Sequence, residues 1–307
     1  MTILVTGSTG TIGSRLVARL AAAGATVHAL ARNPNRSGLP AGVRAVKADL
    51  TDLDATRSAL SGVSTLFLIN AVATDELSQA MNTLNLAIDS GIRRIVYLSV
   101  ISSERFTNVP HFAGKYAVER MIEQFDLPAT VLHPNYFMQN DAHLRDAILG
   151  GVYPMPIGSA GISMVDVSDI VEIAARELLR RELTERPLPR ESIELTGPDP
   201  LTGEAVAGIW TRTLGRTVRY AGDDLNAFES AVRNRSPAWM AYDLRLMMRR
   251  FQQQGAVAKP GNAQRLEALL GRPLRSYQTF AVETARHWGQ RPASEPGGGS
   301  NQTGVNT

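Results

Sequence analysis

Three glycines at every third position, Gly7-Ser-Thr-Gly10-Thr-Ile-Gly13, stand between an apolar run, Ile3–Thr6, and an amphipathic segment, Ser14–Ala23. The run reads as a strand and the segment after it as a helix. A glycine-rich turn between the two lets backbone approach a bound pyrophosphate closely and aims amide donors at it from a helix N-terminus. Such a motif is informative only with a strand before it and a helix after it, and both are here. An ordinary glycine-rich turn is the alternative. Gly7, Thr9, Gly10, Thr11, Ile12 and Gly13 are therefore candidate cofactor-binding residues.

Five more strand-like runs follow, Thr26–Ala31, Val43–Lys47, Thr65–Ile69, Arg94–Ser99 and Ala129–His133, with helical segments between them. Parallel strands need crossover connections, so this alternation predicts an α/β fold with a doubly wound parallel sheet covered on both faces. Gly24, Gly62 and Gly91 each fall between a helical pattern and a strand, where a left-handed helix end is expected. Residues 1–150 are expected to form a Rossmann-type dinucleotide-binding domain. Residues 151–290, interrupted by prolines and carrying amphipathic stretches around Pro237–Gln254 and Gln264–Leu270, read as a smaller α/β substrate-binding region, parts of which pack back on the sheet. Ligands of open α/β sheets bind at the carboxyl edge, so this region should build a pocket there. Residues 291–307, rich in Gly, Pro, Ser and Asn, are expected to be a disordered tail.

Composition removes several chemistries. With no cysteine there is no disulfide framework, thiol nucleophile, thiolate zinc site or iron–sulfur cluster. The five histidines form no HExxH pattern and no i, i+4 pair, so no metal site is expected. The 32 basic and 29 acidic residues are interspersed, which argues against a nucleic-acid surface. No stretch reaches the roughly 18 apolar residues of a membrane helix. The start MTILVTG lacks a basic segment followed by an apolar one, so a cytoplasmic protein acting on a small molecule, without a membrane partner, is the expectation.

The second strand ends Ala31-Arg32-Asn33-Pro34, with no acid to bind the ribose hydroxyls of NAD. A charge-assisted contact from Arg32 to a 2′-phosphate, worth about 1.5–3 kcal/mol, would give about tenfold or greater preference for NADP(H) over NAD(H). Arg36 could assist, and a solvated loop arginine is the alternative. Asp49, after the third strand, is placed to accept from the adenine amino group or to cap the next helix. Asn70 and Ser99, at the ends of the fourth and fifth runs, complete the candidate cofactor set.

The opening TGSTGTIG, Arg32-Asn-Pro, His111-Phe-Ala-Gly-Lys115-Tyr-Ala-Val-Glu119, His133-Pro-Asn-Tyr-Phe-Met-Gln-Asn140, Asp166-Val-Ser-Asp169 and Leu195-Thr-Gly-Pro-Asp199 together resemble the NmrA-like group of atypical short-chain dehydrogenase/reductases. The resemblance runs to about Trp288. It implies an NAD(P)-binding Rossmann domain with a small C-terminal substrate region. The group includes quinone reductases, azo-dye and triphenylmethane-dye reductases, isoflavone-reductase-like enzymes, and regulators that bind the cofactor without reducing anything.

Many short-chain dehydrogenases use a Tyr-x-x-x-Lys pair, in which lysine lowers the tyrosine pKa for proton transfer. None of the seven tyrosines has a lysine four residues later; His111 and Lys115 stand in the equivalent place. Lysine is rare here, only Lys47, Lys115 and Lys259 among the 32 basic residues, so one kept within a motif points to a need for a compact ammonium. The resemblance implies that Lys115 binds the nicotinamide ribose or stabilises an oxyanion; a surface Lys115–Glu119 pair is the alternative. His111 is a candidate proton donor, or a cap or packing residue. Asn135, Tyr136 and Phe137 follow the sixth strand and are candidate substrate contacts, with core packing of Phe137 as the alternative. The group usually carries Arg where His133 stands, so no role is carried over to that position. Met240, Met247 and Met248 read as helical core or as an adaptable pocket lining.

The expectation is an NADP(H)-dependent reductase, with NAD(H) as the other cofactor, passing hydride to a quinone, azo or similar conjugated acceptor. Its rivals are a non-catalytic cofactor-sensing regulator that binds a protein partner, and a reductase of a specific natural-product intermediate.

Overall fold

Successive side chains of the central strands enter two different cores, the period-2 signature of a sheet covered on both faces. In the computed structural model, which describes residues 1–33 and 38–290, Ile3 and Val5 enter one core and Leu4 the other. Phe67, Val96, Leu98 and Leu132 follow Ile3, while Leu66, Leu68, Ile95, Tyr97 and Val131 follow Leu4. The strands are β1 (Thr2–Val5), β2 (Thr26–Ala31), β3 (Arg44–Lys47), β4 (Thr65–Leu68), β5 (Ile95–Leu98) and β6 (Ala129–Pro134), with β7 (Val152–Tyr153), β8 (Glu191–Leu195) and β9 (Arg219–Tyr220) later. Seven of them pair in the order β3-β2-β1-β4-β5-β6-β8, every pairing parallel. The order reverses between β1 and β4, and in such sheets the ligand crevice opens at that point.

Helices α1 (Thr11–Ala22) and α6 (Val167–Leu183) cover one face; α2 (Leu53–Leu60), α3 (Glu76–Asp89) and α4 (Pro110–Gln124) cover the other. Gly24, Gly62 and Gly91 take positive φ at the ends of α1, α2 and α3. Two elements from the second half of the chain belong to the sheet: α6 packs beside α1, and β8 extends the sheet next to β6. In β8 only Ile193 and Leu195 are buried, the alternation of a half-exposed edge strand. The fully buried Arg181 of α6 ties this edge together, donating to Thr130 Oγ1 (2.7 Å) and to the carbonyls of Pro128, Leu188 and Pro189 (2.9–3.1 Å). Asp166 caps α6 by accepting from the Ser168 amide at 2.7 Å.

A third core lies over the carboxyl edge. It gathers Tyr153, Trp210, Phe251, Tyr277 and Phe280 from β7, α7 (Gly203–Leu214), α9 (Ala238–Gln254) and α11 (Tyr277–His287). Short α5 (Arg145–Leu149) and α8 (Leu225–Arg233) adjoin it, while α10 (Asn262–Leu270) packs on α6. No helix of the described residues is long and apolar enough to cross a membrane. Arg36 and the segment 291–307 lie outside the described residues.

Candidate active site

Backbone packing dictates the glycine turn. Gly7 has φ +57°, and a Cβ there would stand 2.9 Å from Ile69 Cγ2. At Gly13 an added Cβ would lie 2.2 Å from the Gly7 carbonyl, so α1 can approach the turn only with glycine at that position. Gly10 is the N-cap of α1, without a side-chain cap and without an acid in the first turn. The first amides of α1 therefore keep free donors at the positive end of the helix dipole, suited to a phosphate. Thr6 Oγ1 donates to the Ile69 carbonyl at 2.8 Å and Ser8 Oγ to the Leu30 carbonyl at 2.8 Å, which fixes the turn across three strand ends.

Two cavities open along the carboxyl edge. The first, about 410 Å³, is lined by Gly7, Thr9, Gly10, Arg32 and Asp49 among others. The second, about 430 Å³, is lined by Ile12, Ser99, His111, Lys115, Tyr136 and Phe137 together with the apolar side chains of α8 and α9. Ile69 and Asn70 belong to both. Asn70 is buried, yet neither its amide nitrogen nor its carbonyl oxygen has a hydrogen-bond partner. An unpaired buried amide costs about 1–3 kcal/mol, and a ligand that spans both cavities would satisfy it. The glycine turn, the free helix amides and this orphaned amide fit a dinucleotide.

Asp49 does not cap α2; Asp52 does, accepting from the Asp54 and Ala55 amides. The Asp49 carboxylate accepts from the Thr51 amide (3.0 Å) and hydroxyl (2.8 Å), bonds that hold it below the usual carboxylate range with help from Arg32. Thr11 opens α1 as an exposed residue and Gly13 is buried beneath the turn; neither lines the first cavity.

Lys115 and His111 line the second cavity, and each is held by an acid that sequence spacing did not show. Lys115 meets Glu76 of α3 at 2.6 Å, not Glu119, and both partners are buried. Glu119 turns toward the sheet instead, accepting from Ser99, from Ser103 (2.9 Å) and from His133 Nε2 (3.1 Å). Burial pushes the Glu119 carboxyl up, but those hydrogen bonds outweigh it and hold it below the usual range. With its proton given to Glu119, Ser99 offers the cavity an acceptor. His111 Nδ1 lies 2.7 Å from Asp243 Oδ1, and the His111 amide donates to Asp243 Oδ2 at 3.2 Å.

Asn135 lines the second cavity as a buried side chain, its amide donating to the Ala256 carbonyl (2.6 Å) and its oxygen accepting from the Tyr136 amide (2.8 Å). It therefore braces the strand end against the loop after α9. The Tyr136 ring lies edge-on to Phe251 in the wall, and burial, then nearby Asp141, push its phenol well up. Met247 and Met248 are both core and cavity lining. Glu76, Asp243 and Arg235 escaped the sequence reading. Glu76 and Asp243 are single acids distant in sequence from their partners, and Arg235 is a lone cavity-lining residue, so no local spacing marks any of them.

Residues 1–281 match the family described as the NmrA-like family. The chain belongs to the NmrA-like family. This NmrA-like chain is 28% identical over 296 residues to an NAD(P)H azoreductase of Xenophilus azovorans, covering 94% of this chain and 99% of the relative. Among solved structures it resembles an NADPH-dependent quinone oxidoreductase of Escherichia coli complexed with NADPH (TM-score 0.79, 22% identity, 94% of this chain and 100% of the other). It also resembles NmrA, a negative transcriptional regulator (TM-score 0.72, 19% identity, 92% and 94% of the two chains). At these identities the two structures show a shared fold.

Proposed function

We propose that this protein is an NADPH-dependent reductase that delivers hydride to a planar conjugated acceptor such as a quinone or azo compound. The observation that carries this reading is the meeting of the two cavities at Asn70, whose orphaned amide sits between a phosphate-binding turn and an apolar chamber holding His111 and Lys115. NADPH bound along the first cavity supplies the hydride at the second. Free amides of α1 hold the pyrophosphate, Arg32 the 2′-phosphate and Asp49 the adenine edge. Lys115 and Ser99 hold the ribose nearest the acceptor, and Tyr136 and Phe137 flank the acceptor plane. His111 supplies a proton from its ring. Residues 1–150 bind the cofactor, while 151–290 contribute the far wall of the chamber through Met155, Phe228, Met247 and Phe251.

The test is loss of NADPH absorbance with a panel of quinones and azo dyes, run beside NADH. Turnover with NADPH favoured supports the reading. Saturable NADPH binding without turnover across the panel would instead support a cofactor sensor, the reading that the likeness to a regulator motivates. Asn70→Ala should weaken NADPH binding while raising the melting temperature of the cofactor-free protein, because it removes an unpaired buried amide.

A further inference from the structure

Asp243 is the only acid in α9, and its side chain is 4% exposed. Among the described residues its carboxylate has partners only on His111: Oδ1 meets the ring Nδ1 at 2.7 Å and Oδ2 accepts the backbone N–H at 3.2 Å. His111 is the second residue of α4, whose N-cap, Val109, supplies no side-chain bond. One buried carboxylate thus caps α4 from a distant helix and grips the imidazole at the same time. A carboxylate so deeply buried is tolerable only against a donor, so Nδ1 must carry a proton. That leaves Nε2 as the ring nitrogen free to act in the chamber that His111 lines.

We propose that Asp243 is the positioning residue of the proton donor. It locks His111 with Nδ1–H toward α9, and it stabilises the imidazolium whose Nε2–H faces the acceptor. The inference rests on the reductase reading and names a partner for its acid. An acceptor that has taken up a hydride, and with it two electrons, is an anion. The Nε2–H bond breaks as a bond forms from that proton to the anionic atom, leaving a neutral imidazole still bonded to Asp243, and water returns the proton afterwards. Other charged or titratable groups around the ring are Lys115 and Glu76, Tyr242 of α9, and Arg235. Lys115 and Glu76 pair with one another, and Arg235 is a cation, so Asp243 is the acid that meets the ring.

Asp243→Asn preserves shape and can still accept the His111 amide, but it removes the charge. With an azo acceptor, kcat should fall by about tenfold or more while KM changes by less than about twofold and NADPH affinity holds. The alkaline limb of the kcat–pH profile should move to lower pH, because the imidazolium loses its stabilising charge. Combined with His111→Gln, Asp243→Asn should add little further loss. Unchanged kcat and an unchanged pH profile in Asp243→Asn would overturn the proposal and leave Asp243 as a helix cap only. Nitrogen-15 NMR of His111 in the wild-type protein decides the point without turnover or any variant: a proton fixed on Nδ1 supports it, and a mixture of tautomers overturns it. Wild-type protein that turns over no acceptor overturns the reductase reading, and the NMR result still decides the pairing.

Discussion

Lys115 Nζ lies 2.6 Å from Glu76 Oε1, with the two side chains only 10% and 9% exposed, so the ammonium lining the second cavity is neutralised from across the α3–α4 interface. An ion pair this buried contributes little net stability, but breaking it strands a charge. Lys115 therefore offers the chamber directional N–H donors more than free positive charge, which suits a ribose hydroxyl better than a developing oxyanion.

Lys115→Met leaves Glu76 buried without its partner and should lower unfolding free energy by about 3–5 kcal/mol. Adding Glu76→Gln should restore much of that loss, because the stranded carboxylate is gone. Urea denaturation of the two single variants and the double variant measures the coupling directly; additive losses would show that the pair is not energetically linked.

Arg32 lines the first cavity where β2 ends, and no acid stands beside it on that strand. Arg32→Ala should reduce the preference for NADPH over NADH by about tenfold, mostly through the NADPH term, since only that cofactor carries the 2′-phosphate. The ratio of dissociation constants for the two cofactors, compared between wild type and variant, reports this. An unchanged ratio would assign the phosphate contact elsewhere.

Gly10 and Gly13 should separate when replaced by alanine. At Gly13 the new methyl would stand 2.2 Å from a backbone carbonyl, so α1 must shift, and both melting temperature and cofactor binding should fall. At Gly10 the nearest atom is the Gly7 carbonyl at 3.3 Å. That residue is exposed on the cavity wall, so Gly10→Ala should weaken NADPH binding while leaving the cofactor-free melting temperature nearly unchanged. Thermal melts with and without NADPH distinguish the two.

The first six strands and the glycine turn were legible because their signal is local: short continuous apolar runs, as in Thr65–Leu68 and Ile95–Leu98, and glycines where backbone packs on backbone. The sheet's edge strand β8 was not. Glu191-Ser-Ile-Glu-Leu195 carries only two inward residues, the pattern of an edge, and its place beside β6 depends on the long crossover through α6. Lys115 and His111 could be picked out by residue type and position, but their partners could not. Glu76 and Asp243 stand 39 and 132 residues away from them and meet them only when α3, α4 and α9 pack together. The i, i+4 spacing that offered Glu119 as a partner for Lys115 lost to tertiary packing, since Glu119 finds Ser99, Ser103 and His133 at the sheet edge.

Asp141, just beyond the acceptor wall, is fully buried and accepts from Tyr153 (3.0 Å) and Tyr277 (2.5 Å). Burial raises its carboxyl from 3.8 to about 7 despite the opposing hydrogen bonds from the tyrosines. Because the folded value lies above the unfolded one, the folded chain retains this proton over a range where the unfolded chain has released it. Stability from this group is therefore greatest below about pH 4, falls as pH rises to about 7, and stays at its lower level above that. Asp141→Asn keeps an oxygen for both phenols and does not titrate. Relative to that variant, wild type should lose stability between about pH 4 and pH 7 and then run parallel to it. Urea midpoints of the two proteins across that range provide the measurement, and a constant difference would mean that Asp141 is ionised in the fold throughout.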